Sequence, residues 1–419
     1  MNRSAVREFS APGTSVAAGE VLIPTEIGDP VRGPLPGPAA PLVGGSLLRK
    51  GTRVRYEPVT HCSDPGQGEG GATVFVATCA QRDGSTAAVA AAASPADRVA
   101  VAAARSAVDE WSAVFGTRRL LAAGSPWCSG ASQALAEARK AVADRPTVHV
   151  YGQLAADEQA VSGLAAQGAV FVTALDEVPD GATVVFPAHG VPAGVRAEAA
   201  ERGLDVIDAT CPLVAGVHAE ARKFAERGDD LVLIGQAGHA AAPGILGQAP
   251  GRTTVVSTPA STATLRVSDP KRVSYLLQPG LPVEDAGPVT AALRSRFPAL
   301  HAPHPDGFCY AASDRAETIR AIASAADVVL VLGSADSPDT RHVCGLARDR
   351  GAKTHVVAET GDIVPAVISG TSAIGIAEST SAARDLADQV TEALSGLGPL
   401  SVTSRRVSTE VVGAPAWRS

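Results

Sequence analysis

Three cysteines stand where the chain changes from an extended or irregular stretch to a helix-like one. They are Cys128 in PWCSG, Cys211 in ATCPL and Cys309 in GFCYA. A thiolate at a helix start is stabilised by the helix dipole, and thiolates suit soft iron. Taken singly, each is more simply a packing residue, because free cysteine is among the most buried residue types. Three at equivalent positions favour an iron–sulfur site, in which three thiolates leave one iron of a four-iron cluster open to substrate.

Polar loops that follow predicted strands supply further candidates. His189 lies in AHG and His239 in GH, and paired histidines in equivalent loops favour anion binding or proton transfer. Ser337 and Ser381 lie in later loops, although serine in a loop is usually a cap or turn residue. The other histidines are expected to be structural: His61, His149, His218, His301, His304, His342 and His355.

The elements that must position these residues follow the pattern of a parallel α/β protein. From about residue 118, short apolar runs alternate with alanine-rich amphipathic stretches. Strands are predicted at 119–122, 147–150, 169–173, 183–186, 205–207, 231–234, 254–257, 273–277, 328–332, 354–357 and 373–376, and helices lie between them, for example at 133–142, 217–226 and 315–325. Ligands bind at the carboxyl ends of parallel strands, so three similar units could present one cysteine and one polar loop each to a common centre.

The first 116 residues have a different texture and carry no motif that indicates chemistry. Short strands are predicted at 20–24, 53–59 and 72–78, a helix at 99–115, and a loop or extended segment over the proline-rich Gly28–Pro41. The predicted domains are an N-terminal extension, 1–116, a main domain, 117–400, and a polar, irregular tail, 401–419. The main domain divides into three αβ units at roughly 117–192, 193–300 and 301–400.

Composition narrows the function classes. The formal net charge of −7 argues against a nucleic-acid partner, which needs a basic face. The longest apolar runs, such as 328–332, are far shorter than the ~20 residues of a membrane-spanning helix, so no membrane partner is expected. The N-terminal residues contain no apolar stretch typical of a signal peptide. A cytoplasmic protein is therefore expected, whose six cysteines are thiols or metal ligands rather than disulfides.

Several motifs together resemble the 4-hydroxy-3-methylbut-2-enyl diphosphate reductase family, also called IspH or LytB. The resemblance runs from about residue 120 to 397 and leaves the N-terminal extension outside. Its most specific stretch is DATCPLV around Cys211. The other matching motifs are AHGV at 188–191, Val217-His218, Gly238-His239 with Gly244 and Gly247-Gln248, and Phe308-Cys309-Tyr310-Ala311 with Arg315.

The resemblance implies a fold, a reaction and a site. The fold is three αβα units in a pseudo-threefold trefoil around a central iron–sulfur cluster, here with a small N-terminal α/β appendage. The reaction is reductive loss of an allylic hydroxyl as water, with electrons from ferredoxin or flavodoxin, yielding isopentenyl and dimethylallyl diphosphates. Cys128, Cys211 and Cys309 are implied ligands of a 4Fe–4S cluster, which can also be seen as 3Fe–4S. The implied contacts of the small anionic substrate are His189, His239, Ser337, Asp339 and Ser381, with His239 also catalytic.

The chain departs from the family pattern near this implied site. Ala241 stands where the family has a proton-delivering glutamate, Ala156 where it has a third histidine, and Pro279-Gly280 where it has two threonines. Asp339 replaces an asparagine, and a carboxylate beside a diphosphate weakens binding unless it is neutralised or turned away. The leading hypothesis is a reductase acting on the usual substrate or a related alcohol. The alternatives are a non-catalytic or re-purposed relative that holds a cluster, and a cluster-free α/β protein with buried thiols.

Overall fold

The computed structural model describes residues 5–65, 71–154 and 158–409, and its strands form four sheets. Ala156 lies outside the described residues. Among those described, no helix is long and apolar enough to cross a membrane.

The N-terminal region forms a six-stranded, mostly antiparallel sheet with two helices. Its strands run in the order β1-β5-β6-β2-β3, and β4 pairs with β2 as the one parallel pair. The elements are β1 Arg7–Ala11, β2 Glu20–Asp29, β3 Gly33–Pro36, α1 Ala40–Arg49, β4 Arg53–Val59, β5 Ala72–Ala80, β6 Thr86–Ala93 and α2 Arg98–Ser112.

Two features of this region differ from the sequence predictions. The prediction of a loop or extended segment over 28–41 is wrong at its end, where α1 begins at Ala40 and accommodates Pro41 in its first turn. Strand β6 was not predicted, because its sequence TAAVAAAA has no polar alternation and alanine favours helices. Both faces of β6 are buried, Ala88 and Ala90 on one side and Val89 and Ala91 on the other, so small side chains fit there.

The rest of the chain alternates strands with helices. Its elements are β7 Arg118–Ala122, α3 Ser129–Asp144, β8 Val148–Tyr151, α4 Glu158–Ala166, β9 Ala169–Val172, β10 Thr183–Phe186, α5 Ala193–Glu201, β11 Asp205–Asp208, α6 Pro212–Glu226, β12 Asp230–Ile234, α7 Ala241–Leu246, β13 Thr253–Val256, β14 Val273–Leu277, α8 Val283–Arg296, α9 Ala311–Ala323, β15 Val328–Leu332, α10 Pro338–Arg348, β16 Lys353–Val357, α11 Pro365–Ile368, β17 Ala373–Glu378, α12 Leu386–Ser395 and β18 Leu400–Ser404.

These strands form three wholly parallel sheets, which confirms the predicted α/β class. The orders are β11-β10-β8-β9, β13-β12-β14 and β16-β15-β17-β7-β18. Strand β7 joins the third sheet, between β17 and β18, rather than the strands that follow it in sequence. The prediction of an irregular chain after residue 400 is wrong for β18, whose backbone pairs with β7 although Val402, Thr403 and Ser404 are exposed. An edge strand of this kind has a polar sequence because one side faces solvent.

The described residues make up two compact units. Those of Met1–Pro126 and Thr318–Arg406 form the first, and those of Trp127–Glu317 and Val407–Ser419 form the second. One hydrophobic cluster runs through the first unit, joining Trp111 and Leu42 of the N-terminal region to Leu330 and Ile374 of the third sheet. The N-terminal region therefore shares its core with that sheet.

Each of the three helix-start cysteines lies on a connection between sheets. Cys128 follows β7 of the third sheet and precedes α3, which packs on the first parallel sheet. Cys211 follows β11 of the first parallel sheet and precedes α6, which packs on the second. Cys309 precedes α9, whose Ile322 packs against Gly375 of the third sheet.

Candidate functional site

The prediction that a cysteine stands at the start of three helices is confirmed. Cys128 is the N-cap of α3, and its Sγ accepts a hydrogen bond from the Ala131 amide at 3.4 Å. Cys211 is the N-cap of α6. Cys309 lies two residues before α9, and the amides of Ala311 and Gly280 donate to its thiol sulfur. Such donors and the helix dipole both favour a thiolate.

The three thiols lie close together in the second compact unit. A β-carbon at Gly130, in the first turn of α3, would lie only 2.8 Å from Sγ of Cys211, so the start of α3 approaches that sulfur directly. The pKa of Cys309 is raised, first by burial and then by the charges of Cys128 and Cys211, against the lowering effect of its two amide donors. The Cys309 thiol is therefore within electrostatic reach of both other thiols.

The thiols of Cys128, Cys211 and Cys309 fit an iron–sulfur cluster better than a single metal ion. Among the described residues, no group of three or more His, Cys, Asp or Glu side chains could hold one metal ion. A cubane cluster asks for a different arrangement, in which each thiolate binds its own iron. Three cysteines whose thiols lie near one another suit that chemistry. Cys62, Cys79 and Cys344 are buried elsewhere, and burial raises the pKa of each.

His189 and His239 form a pair in the same unit. They lie after β10 and β12, and their ring centroids are 5.3 Å apart in an edge-to-face arrangement. Burial, followed by the neighbouring His239, lowers the pKa of His189 to about 4, and burial lowers that of His239. Both rings are thus neutral near pH 7. Nδ1 of His189 is buried and has no hydrogen-bond partner among the described residues.

Gly280 links the histidine pair to the thiols. Nδ1 of His239 accepts from the Ala241 amide at 3.1 Å, so the proton of the neutral ring is on Nε2. That nitrogen faces Gly280, whose β-carbon position would lie 3.5 Å from it, while the Gly280 amide donates to Cys309. The φ of Gly280 is +89°, so a threonine there would be strained. Ala241 itself is fully buried.

The predicted serine and aspartate contacts belong to the first compact unit. Ser337 is the N-cap of α10, and its Oγ accepts from the Thr340 amide at 3.5 Å. Oγ1 of Thr340 donates to Oγ of Ser379 at 2.8 Å and lies 3.2 Å from Oγ of Ser381. Asp339 Oδ2 accepts from the Thr380 amide at 2.7 Å, so this carboxylate holds the loop after β17. These hydroxyls and the start of α10 lie at the carboxyl ends of β15 and β17.

Sequence reasoning missed several residues that shape the site. The hydroxyls of Thr340 and Ser379 form a hydrogen-bonded cluster with that of Ser381. The run of hydroxyl residues directly after β17 was the sequence signal that could have indicated this cluster. The sequence indicates Gly280 only as part of a departure from the family pattern. Gln278 Oε1 accepts from the Gln236 amide at 2.7 Å and so holds the start of the His239 loop.

Comparison with known proteins gives concordant matches. The family model described as LytB protein matches residues 120–395 and leaves the N-terminal region outside. The 4-hydroxy-3-methylbut-2-enyl diphosphate reductase 1 of Mycobacterium tuberculosis is 43% identical over 299 residues, covering 70% of this chain and 91% of that protein. The corresponding reductase of Aromatoleum aromaticum is 38% identical over 300 residues, covering 71% of this chain and 96% of the relative.

Solved structures share the fold. The E-1-hydroxy-2-methyl-but-2-enyl-4-diphosphate reductase from Plasmodium falciparum superposes with a TM-score of 0.60 at 23% identity, covering 72% of this chain and 95% of that one. A structure of (E)-4-hydroxy-3-methyl-but-2-enyl diphosphate reductase superposes with a TM-score of 0.56 at 24% identity, covering 67% of this chain and 99% of that one.

Proposed function

Since the chain belongs to the LytB protein family, we propose that it is an iron–sulfur reductase that converts 4-hydroxy-3-methylbut-2-enyl diphosphate to isopentenyl and dimethylallyl diphosphates. The observation that carries the proposal is the meeting of three thiols with a histidine pair through Gly280, which donates to Cys309 and faces Nε2 of His239. Atoms balance when two electrons and two protons are taken up. The carbon–oxygen bond breaks, one proton leaves with the oxygen as water, and the other ends on an allylic carbon.

The proposed ligands are Cys128, Cys211 and Cys309, around which the three αβα units form a pseudo-threefold trefoil. When bound, a 4Fe–4S cluster supplies electrons one at a time and an open iron that polarises the hydroxyl. The electrons come from a one-electron donor of the ferredoxin or flavodoxin class. The amides of Ala311 and Gly280 donate to the Cys309 sulfur and so favour the thiolate that ligation needs, against burial, which raises the pKa of this thiol.

The proposed role of the histidine pair is to bind the diphosphate and to move a proton. His189 has a buried Nδ1 without a partner among the described residues, and a phosphate oxygen is a suitable one once the ring is protonated. An approaching anion raises the pKa of both histidines, so binding takes up protons. His239 has its ring proton on Nε2, the nitrogen that faces Gly280, which supports its assignment as the catalytic proton carrier.

We also propose that Ser337 and Ser381 bind phosphate oxygens. Ser337 is the N-cap at the start of α10, and Ser381 lies within a group of hydroxyls at the ends of β15 and β17. Asp339 was predicted as a substrate contact. Its bond to the Thr380 amide supports a different role, in which the carboxylate is turned to the loop and fixes Ser379 and Ser381.

A second candidate function rests on Ala241. This residue has no ionisable group and is fully buried beside the His239 loop, so it supplies no acid of its own. Losing a general acid typically costs about 10²- to 10⁴-fold in rate. A protein that holds the cluster without turning over the substrate, as a sensor or a partner of a true reductase, is the alternative.

The test uses anaerobically purified full-length protein. Iron and sulfide are counted, the visible spectrum is recorded, and turnover of the diphosphate substrate is measured with a reduced one-electron donor. Cys211→Ser is compared with Cys344→Ser, a matched change at a buried thiol of the other compact unit. We expect a cluster and turnover in the wild type and in Cys344→Ser, and loss of iron in Cys211→Ser.

Each other outcome contradicts a specific part of the proposal. A full-strength cluster in Cys211→Ser refutes the ligand assignment. An intact cluster without turnover favours the non-catalytic alternative. A wild-type protein without iron after anaerobic purification favours a cluster-free α/β protein.

A further inference from the structure

Helix α6 contributes a buried imidazole between the two histidine loops. His218 lies seven residues, or two turns, after Cys211, the N-cap of this helix, so the two residues lie on the same face of α6. Its side chain is 3% exposed, and Nε2 has no hydrogen-bond partner within the described part of the chain. Burial, Arg196 and Arg222 lower the pKa of His218 to about 4, so the ring is neutral.

The His218 ring contacts the backbone on both sides. A β-carbon at Gly190, directly after His189, would lie 2.6 Å from Cε1 of His218. A β-carbon at Gly244, in the helix that follows His239, would lie 3.0 Å from Nε2 of His218 and 3.2 Å from the carbonyl oxygen of His189. The imidazole therefore fills the space between the two loops so closely that position 190 has room only for glycine, and an alanine at 244 would have to displace its neighbours by a few tenths of an ångström.

Gln248 ties the same two loops together with hydrogen bonds. Its Nε2 donates to the carbonyl of Val191 at 3.2 Å and to that of Gly244 at 2.9 Å. Its Oε1 accepts from Arg222 at 2.6 Å, one turn beyond His218 on α6. Gln248 is 8% exposed, so these bonds are shielded from water.

We propose that His218, Arg222 and Gln248 form a positioning brace that sets the separation of His189 and His239 and thereby the affinity of the site for a diphosphate. The α6 brace, as we call these three residues, acts through the two histidines and does not touch the ligand itself. It connects them to the helix that begins at Cys211, so the diphosphate contacts and one thiol share a rigid support. This inference rests on the proposed function, because it takes the histidine pair as the diphosphate contact.

The test is a substitution that displaces the His218 ring while keeping all three residues of the α6 brace. Gly244→Ala places a methyl group against the His218 ring and the His189 carbonyl. Gly216→Ala is the matched control, because it lies on α6 and its β-carbon would meet nothing within 4 Å. Holoprotein binding of inorganic pyrophosphate is measured by calorimetry, together with iron content, melting temperature, KM and kcat.

We expect Gly244→Ala to weaken pyrophosphate binding roughly tenfold, since sub-ångström to ångström displacements of binding groups have effects of this size or larger. Its iron content stays at the wild-type value, and KM rises more than kcat falls. Gly216→Ala retains wild-type affinity. In a His218→Ala background, where the methyl group meets only the His189 carbonyl, adding Gly244→Ala lowers affinity less than it does in the wild type.

Gln248→Leu is the second variant, which removes both carbonyl contacts while keeping a buried side chain of similar size. It is compared with Ser274→Ala at the start of β14, which removes a buried 2.7 Å hydrogen bond to Asp229. We expect only Gln248→Leu to weaken pyrophosphate binding when both lower the melting temperature.

The brace is refuted if Gly244→Ala and Gln248→Leu bind pyrophosphate as the wild type does, or if the two substitutions at 218 and 244 act additively. A wild-type protein that binds no pyrophosphate also overturns it. Wild-type protein that binds pyrophosphate with the expected differences but shows no turnover contradicts the proposed activity alone.

Discussion

Cys309 shows how single residues of this chain combine opposing influences on one thiol. Burial and two neighbouring cysteines raise its pKa, while the amides of Ala311 and Gly280 lower it. As thiolates the three cysteines would repel one another. The same arrangement becomes favourable once iron neutralises them, because metal binding replaces the protons of the ligands.

At the residue scale we predict that Ala241→Glu does not restore an acid to the site. Ala241 packs among Val217, Ala242 and Ile245 and is fully buried. A carboxylate there has no partner, so the substitution is expected to lower the free energy of unfolding by about 2 kcal/mol or more. Denaturant unfolding and turnover are measured, with Ala237→Glu as the control because Ala237 is exposed in the same loop.

Equal stability of the two glutamate variants, or a gain in turnover by Ala241→Glu, would contradict this prediction. Equal stability would mean that the site can accommodate a carboxylate at residue 241. A gain in turnover would mean in addition that this carboxylate reaches the reacting groups.

Residue types at helix starts and strand ends made the cysteines and histidines predictable. His189 and His239 could be paired in advance because both follow parallel strands. Gln248, Gly280 and Thr340 could not, because their roles depend on which backbone group lies opposite. A glutamine that bonds a carbonyl 57 residues away, as Gln248 bonds that of Val191, has the same local sequence signal as one that faces solvent.

At the scale of elements, the close packing of the Ser379 and Ser381 hydroxyls after β17 depends on a glycine, Gly333, directly after β15. Gly333 has a φ of +138°, and a β-carbon there would lie 2.0 Å from Oγ of Ser379 and 2.7 Å from Oγ of Ser381. The turn that leads into α10 and the loop that carries Ser381 can approach each other only because residue 333 is glycine.

We therefore predict that Gly333→Ala lowers the free energy of unfolding by about 1–3 kcal/mol from backbone strain, with a further loss from the displaced hydroxyls. Gly345→Ala, within α10 and without a neighbour within 4 Å of its β-carbon, serves as the control. It is expected to stabilise the protein by about 0.5–1 kcal/mol, since alanine favours a helix. Denaturant unfolding separates the two, and a stability change of the same sign in both would contradict the prediction.

The predicted parallel strands were largely correct because fully buried strands have short, continuous apolar runs. Strand β6 and strand β18 escaped for opposite reasons. The alanines of β6 have no strand-like periodicity, and β18 is a polar edge strand that gains its structure from pairing with β7. Which strands share a sheet was also beyond the sequence, since β7 pairs with strands that begin about 250 and 280 residues later.

At the scale of the whole molecule, the N-terminal region and the third sheet share one hydrophobic cluster. Trp111 of α2 is fully buried in it, and its indole nitrogen donates to Oγ of Ser46 at 3.0 Å. Gly45 of α1 lies against the backbone of Gly361, so a side chain at either position would separate the two segments. The extension is thus part of the folded core in the first compact unit.

We predict that Trp111→Ala destabilises the third sheet as well as the N-terminal region. Truncating a buried tryptophan costs about 3–5 kcal/mol, and the shared cluster distributes the loss. Hydrogen exchange of the amides in β15 and β17 is expected to accelerate together with that in β5. The control is Leu48→Ala, on an exposed position of α1. Unchanged exchange in β15 would show that the two segments unfold independently.

The place of β7 in the third sheet has a consequence for biosynthesis. Its partner strands begin at Ala373 and Leu400, so the ribosome must add about 250 residues after β7 before either neighbour exists. At about 5–20 residues per second that interval lasts on the order of 10–50 s. Until then the apolar Leu120 and Leu121 have neither neighbouring strand to pair with, so we expect β7 to be a site of chaperone binding during translation.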